Sequence, residues 1–176
     1  MDCRGGITLA KANRHVDRGA REAARFGINR NSEWPKVEKQ HLKIQPHCMA
    51  CKSGTKVHGE LQVHHIFPFH YCVALGRPDL ELDQRNLITL CENKKDRHGL
   101  DHHLLIGHLD DFQSSNLDVV KDARTTFYSM SAENIRKDPR WEKKEKTKLK
   151  PLDTMSQREK NAFTANMNSR FPKNDA

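Results

Sequence analysis

Cysteine and histidine residues follow one another in this chain in an order that suits a metal site. Cys48 and Cys51 form a Cys-x2-Cys turn, Cys91 comes later, and His98 and His102 are both candidates for a further ligand. Two thiolates on one turn point at a single tetrahedral site, as structural zinc requires. Only 35% of the residues are hydrophobic, and a chain with a small core often uses a metal as a staple. We predict a zinc site of Cys48, Cys51, Cys91 and, as the favoured fourth ligand, His102.

Composition limits the compartment and the class of partner. The net charge of +8 and the pI near 9.4 favour a polyanionic partner such as nucleic acid. The metal-like spacing of the cysteines indicates a reducing, cytoplasmic location, with Cys3 and Cys72 left as free or buried thiols. Residues 1–30 lack the apolar core of a signal peptide. No apolar run approaches the roughly 20 residues that a membrane span requires, so we expect no membrane partner.

The pattern of apolar residues predicts an α+β fold with short elements. A helix should begin at Asn31 or Ser32, with Pro35 in its first turn, and end before Pro46. Alternating residues predict a strand over 56–66, and a short apolar run predicts a second strand over 86–90. Residues 67–83 contain prolines and a glycine that exclude a long element. Further helices are predicted to start near 102–108 and to cover 117–128.

Three regions differ in composition. Residues 1–30 are predicted to be a basic N-terminal arm, flexible or ordered by a partner, residues 31–130 a folded domain that carries the cysteine and histidine motifs, and residues 131–176 a polar, charged C-terminal tail. Trp141, Phe163 and Phe171 are isolated in this tail and are expected to build no core. The tail is therefore expected to be a solvated helix or disordered.

Paired histidines supply the candidate catalytic chemistry. His64 and His65 lie on the first predicted strand, where neighbouring side chains point to opposite faces. A twist could still bring both to one cleft, one binding a metal and one activating water as a neutral base. His103 and His108 could complete the metal site, although a spacing of five suits one helical face less well than four. Asn86 could orient the base or tie its loop in place.

Residues about 32–120 resemble the HNH endonucleases, whose core is the ββα-metal (His-Me finger) fold. The resemblance covers roughly half of the chain and depends on an ordered set of motifs rather than on any single one. The matching pieces are Trp34-Pro35-x-Val37, His41-Leu42, Pro46-x-Cys48-x2-Cys51, Leu61-x-Val63-His64-His65-Ile66-x-Pro68-Phe69, Leu80-Glu81-Leu82-Asp83-x2-Asn86-Leu87-Ile88-Thr89-Leu90-Cys91 and His103-Leu104-Leu105-Ile106-Gly107-His108-Leu109.

The resemblance implies a role for each matching residue. His65 would be the general base, Asn86 the residue that holds the loop and the base, and His64 and His103 the ligands of a catalytic ion. His108 would add a ligand or a phosphate contact. Many relatives have a cysteine where this chain has His102, so the structural zinc site would be of the Cys3His type. The catalytic ion would be Mg²⁺ or another divalent ion such as Mn²⁺ or Ni²⁺.

The function expected from this resemblance is hydrolysis of DNA phosphodiester bonds, with double-stranded DNA as the expected partner. A cut through both strands would suggest two active sites acting together, in a homodimer or a larger phage or defence assembly. Basic side chains are expected to contact phosphates without reading sequence; they are Arg85, Lys94, Lys95 and Arg97. The alternative is a non-catalytic zinc module that binds nucleic acid or a protein partner. A redox or metal-storage protein is poorly supported, because only Cys3 and Cys72 remain outside the zinc site.

Overall fold

Two short strands and a series of mostly short helices make up the described part of the chain, residues 27–52, 60–92 and 101–173 of a computed structural model. The strands are β1 (Glu60–His65) and β2 (Leu87–Glu92). The α-helices are α1 (Trp34–Ile44), α2 (Phe69–Ala74), α3 (Val119–Lys121), α4 (Ala132–Lys137), α5 (Pro139–Glu145) and α6 (Gln157–Arg170). Short 3-10 turns lie at Pro78–Glu81, Gln84–Asn86 and Leu152–Thr154, and π-helical segments at His103–Gly107 and Asp122–Thr126.

Helix α1 forms where the sequence predicts it. Pro35 lies in its first turn, where a missing N–H costs no helical hydrogen bond. The chain leaves the helix at Gln45, immediately before Pro46, which cannot continue it. The side chain of Gln45 then accepts a hydrogen bond from Thr89 N at 2.5 Å, so the end of α1 is tied to strand β2.

Strands β1 and β2 pair antiparallel as the only sheet that the structure describes. His64 is opposite Ile88, and His65 is opposite Leu87. Both predicted strands are confirmed, although residues 53–59 at the predicted start of the first lie outside the described residues. Asn86 precedes β2 in a 3-10 turn rather than lying within the strand. The mixture of helices with a small sheet confirms the α+β class.

The helices predicted after β2 are present, but two segments have π-helical geometry. His103–Gly107 is a π-helix whose N-terminal cap is His102, and Asp122–Thr126 is a second one that continues α3. Phe127 N donates to Asp122 O at 2.8 Å, the bond between residues five apart that defines this geometry. The sequence predicted the positions of these helices and not their wider turn.

The expectation that the region beyond residue 130 builds no core is wrong. Trp141, Phe163 and Phe171 are 4%, 7% and 6% exposed and belong to the same hydrophobic core as the strands. The Phe163 ring lies 5.3 Å from the ring of Phe67, which follows β1. The three aromatic residues are isolated in sequence, but Phe163 and Phe171 pack against Phe67, and Trp141 packs against Phe127. Of the predicted N-terminal arm, residues 1–26 lie outside the described residues.

No helix among the described residues is long and apolar enough to cross a membrane.

Candidate metal centres and cleft

Three thiols and one imidazole converge at the junction of the Cys-x2-Cys turn, β2 and the first π-helical segment. The ligand atoms of Cys48, Cys51, Cys91 and His102 all lie within 4.8 Å of one another. Cys51 Sγ is 3.8 Å from Cys91 Sγ, and Cys48 Sγ is 3.6 Å from His102 Nδ1. A tetrahedral zinc ion with its usual bond lengths separates two sulfur ligands by about 3.8 Å, and a sulfur from a nitrogen by about 3.6 Å. This cluster could therefore hold a metal such as zinc.

The His102 ring is oriented for metal binding by its far nitrogen. Its Nε2 lies 2.8 Å from Met130 O, and donation of the ring proton to this carbonyl leaves Nδ1 as the lone-pair nitrogen that faces the thiols. Such an outer hydrogen bond is the usual way that a ligand histidine is fixed. The alternative fourth ligand, His98, lies outside the described residues.

A second group of possible ligands lies where β1 meets the π-helical segment His103–Gly107. The ligand nitrogens of His64, His103 and His108, called here the three-histidine cluster, lie within 4.8 Å of one another. The ring centroids of His103 and His108 are 4.8 Å apart. In a π-helix, residues five apart come to nearly the same side, so the wide turn brings together two imidazoles whose spacing suited an ordinary α-helix less well.

His64 lies deepest in the three-histidine cluster. It is 4% exposed, and its Nε2 is buried without a hydrogen-bond partner among the described residues. Burial lowers the pKa of His64 well below its usual value, and His108 and His103 lower it further. A neutral imidazole with an unsatisfied nitrogen costs stability unless something binds it. The donor set and the orphaned atom both fit a divalent metal ion.

His108 is held in place by a backbone carbonyl, and His103 lies near a carboxylate. His108 Nδ1 lies 2.7 Å from Ser114 O and can donate to it, which leaves Nε2 as the acceptor. Ser114 Oγ in turn accepts from Leu149 N at 2.8 Å. The C-terminal region therefore contacts the loop that orients His108. His103 Nδ1 lies 3.8 Å from a carboxylate oxygen of Glu92.

His65 faces away from the three-histidine cluster and contacts a different set of residues. Its Nε2 lies 2.9 Å from Glu81 O, so this nitrogen carries the proton and Nδ1 is the acceptor. Burial lowers the pKa of His65 to about 3, and the Arg30 charge adds to the effect. The imidazole is therefore neutral near pH 7. Its ring centroid lies 4.5 Å from that of Trp34.

Both neighbours, His64 and His65, nevertheless line one cleft of about 300 Å³. His103 and His108 line it as well, together with Arg30, which precedes α1, and with residues of α1 and α2. The cleft therefore joins the three-histidine cluster to a neutral imidazole that is not part of it. Neighbouring side chains of a strand point to opposite faces, but His64 and His65 still reach one cleft, as the sequence analysis allowed.

Asn86 ties two loops together rather than orienting the His65 ring. Its Oδ1 accepts from Phe67 N at 2.8 Å, and its Nδ2 donates to the carbonyls of Phe67 and Leu80, each at 3.0 Å. These bonds join the chain after β1 to the chain before β2. These contacts match the second predicted role of Asn86, which is to tie its loop in place. The far ring nitrogen of His65 contacts the Glu81 carbonyl instead.

None of the basic residues expected to contact phosphate lines the cleft among the described residues. Arg85 is paired with Asp83 at 2.6 Å and lines a separate, shallow depression. Lys94, Lys95 and Arg97 lie outside the described residues. Arg30 and Glu81 were missed as site residues, because nothing in their sequence neighbourhood shows that the fold brings them to His65.

Of the two cysteines left over, Cys72 is a buried thiol, as expected. Burial raises its pKa to about 12, and its Sγ lies 3.5 Å from Phe67 O. It therefore stays protonated and takes no part in either metal centre. Cys3 lies outside the described residues.

Comparisons of the chain with protein-family models, with curated proteins and with solved structures gave no match. The functional argument therefore depends on the residues and the geometry above.

Proposed function

We propose that the chain is a metal-dependent endonuclease of the HNH type, with a ββα-metal core, that hydrolyses phosphodiester bonds in DNA. The observation that supports this most strongly is the division of labour between adjacent residues of β1. His64 belongs to a possible metal site, whereas His65 is a neutral imidazole with a fixed proton on its far nitrogen. A binding module needs no such pair in one cleft, so the geometry favours an enzyme over the alternative zinc module.

His65 would act as the general base. Its Nδ1 accepts a proton from a water molecule whose oxygen adds to phosphorus, and the bond from phosphorus to the 3′ oxygen breaks. The leaving oxygen takes up a proton from solvent. The hydrogen bond to Glu81 O keeps Nδ1 as the accepting nitrogen during proton transfer. The low pKa means that His65 enters the reaction in its basic form.

His64 and His103, with His108 as a further ligand, would hold the catalytic ion. A divalent ion such as Mg²⁺, Mn²⁺ or Ni²⁺ bound there would supply positive charge that stabilises the leaving 3′ oxygen and the phosphate. The separate Cys3His cluster would carry structural zinc that fixes the start of the segment bearing His103, because His102 is its immediate neighbour.

Plasmid cleavage by the purified zinc-loaded protein tests the proposal. We expect nicking or cutting with added Mg²⁺, Mn²⁺ or Ni²⁺, and none when the added ion is omitted. His65→Ala should lower the rate about 100-fold or more, since it removes the general base. His103→Ala should weaken metal dependence while the protein stays folded and keeps its zinc.

His47→Ala is a matched control, because His47 is exposed and belongs to neither cluster; its cleavage rate should equal that of the parent. Metal content and circular dichroism show whether each variant is folded. Equal cleavage by the parent and by His65→Ala would refute the assignment of the base. No cleavage with any ion by a folded, zinc-loaded parent would favour the binding module.

A further inference from the structure

Arg30 lies directly beside the His65 end of the cleft, held between two aromatic rings. Its guanidinium carbon is 4.3 Å from the ring centroid of Trp34 and 4.0 Å from that of Phe69. Both distances are within the range of cation–π attraction. Since Trp34 also packs on the His65 ring, the arginine and the imidazole share a neighbour that limits the movement of both.

Arg30 and His65 both contact Glu81. Its side chain is 3% exposed, and its Oε1 lies 3.5 Å from Arg30 Nη1 and accepts from Asn31 N at 3.1 Å. Its backbone oxygen is the one that binds His65 Nε2. The carboxylate and the carbonyl of one buried residue therefore fix the guanidinium and the base relative to each other.

The Arg30 guanidinium has capacity left for a ligand. Among the described residues, Glu81 contacts one terminal nitrogen, whereas a guanidinium carries five N–H donors in a planar fork. The side chain is 42% exposed and lines the cleft. Burial lowers the pKa of Arg30 although Glu81 opposes the effect, so the positive charge is held partly desolvated, and an anion in the cleft would stabilise it.

We propose that Arg30 is a substrate-contacting residue that binds a phosphate of the nucleic acid at the His65 end of the cleft, with Glu81 as its positioning residue. The three-histidine cluster would then hold one side of the phosphodiester, and Arg30 the other. This proposal rests on the proposed nuclease function for its catalytic consequence, but the phosphate contact itself does not require turnover.

The phosphate contact is measured as the salt dependence of binding to a short DNA duplex, by fluorescence anisotropy. All proteins carry His65→Ala so that the duplex stays intact. Each phosphate contact contributes about 0.9 to the slope of log affinity against log salt. We expect Arg30→Gln, which removes the positive charge and keeps a polar side chain, to reduce the slope by about one.

The matched control for this measurement is Arg140→Gln. Arg140 is also an exposed arginine paired with a carboxylate, that of Asp138 at 2.7 Å, but it lies outside the cleft. Its slope should equal that of the parent. An unchanged slope for Arg30→Gln would overturn the proposal, as would the absence of measurable DNA binding by the parent.

Single-turnover cleavage with His65 intact tests the planar fork. Arg30→Lys keeps the charge but cannot bind phosphate with two parallel donors, so it should retain the binding slope and cleave about tenfold or more slowly. Glu81→Gln keeps the carbonyl that holds His65 and should slow cleavage in the same way. If Arg30→Lys cleaves at the parent rate, a phosphate contact through two parallel guanidinium donors is ruled out. A parent that binds with the expected slope change but never cleaves would instead refute the nuclease function alone.

Discussion

At Gly107 the backbone of the π-helical segment passes so close to His64 that a side chain there would contact the imidazole. A Cβ at this position would lie 3.2 Å from His64 Cε1 and Nδ1, and 3.3 Å from Leu90 Cδ1. Leu90 is fully buried in β2 and cannot yield easily. The imidazole would therefore have to move by a few tenths of an ångström, away from its place beside His103 and His108.

Gly107→Ala should accordingly weaken the three-histidine cluster without unfolding the protein. Alanine is better than glycine in a helix by about 1 kcal/mol, which offsets much of the overpacking cost of roughly 1–3 kcal/mol. We expect Mn²⁺ affinity, measured by calorimetric titration, to fall about tenfold. Zinc content serves as the internal control and should not change. Equal Mn²⁺ affinity in the variant and the parent would mean that His64 is not a ligand.

At the scale of elements, the Cys3His cluster joins a turn, a strand and a helix start. Cys48 and Cys51 come from the turn after α1, Cys91 from β2, and His102 from the cap of His103–Gly107. The described hydrogen bonds between these pieces are few, among them Met49 N to Thr89 O at 2.9 Å. A metal at this cluster would therefore add a direct link between β2 and the segment that carries His103, beside the burial of Leu105 and Ile106 in the core.

Cys91→Ser should abolish zinc binding and destabilise the protein strongly. Loss of a structural metal removes a large share of the folding free energy; a cost of about 4 kcal/mol would lower Tm by about 10 °C. Cys72→Ser is the matched control, because Cys72 is equally buried and lies outside the cluster. Zinc analysis and thermal unfolding by circular dichroism measure both effects. A Cys91→Ser protein that kept one zinc per chain would show that Cys91 is not a zinc ligand.

The elements differ in how far the sequence could predict them. Local signals were sufficient for α1, with Pro35 and Pro46 at its ends, and for the Cys-x2-Cys turn. The π-helical turn at His103–Gly107 was not predicted, because a spacing of five fits no ordinary helical period and π-helices are rare. The same turn is what brings His103 and His108 together, so the least predictable element shapes the second cluster.

At the scale of the whole molecule, contacts between distant parts of the chain could not be predicted from the sequence. Arg77, before the first 3-10 turn, donates to Asn168 Oδ1 at 2.7 Å and to Phe171 O at 2.9 Å. Tyr71 Oη donates to Lys150 O at 2.7 Å. Each partner lies about 80–95 positions away, a separation that no periodicity reports. The C-terminal region therefore packs against residues 67–83, between β1 and β2, although its composition is polar.

Phe163 gives the sharpest test of this packing. Its ring centroid lies 5.3 Å from those of Phe67 and Tyr71, and its side chain is 7% exposed. Replacing a buried phenylalanine with alanine removes its apolar burial and leaves a cavity, at a cost of about 3 kcal/mol or more. We expect Phe163→Ala to lower the free energy of unfolding by that amount. The midpoint of urea unfolding should fall accordingly.

Ile44→Ala provides the comparison, because Ile44 is a large apolar residue that is 65% exposed at the end of α1. Its replacement should change the free energy of unfolding by less than about 0.5 kcal/mol. The contrast matters because composition alone makes the region of Phe163 a solvated tail and puts Ile44 in the folded domain. If Phe163→Ala unfolds at the same urea concentration as the parent, α6 does not pack on the core. If the two variants rank as expected, the region beyond residue 130 is part of the same folded core as the residues that flank β1.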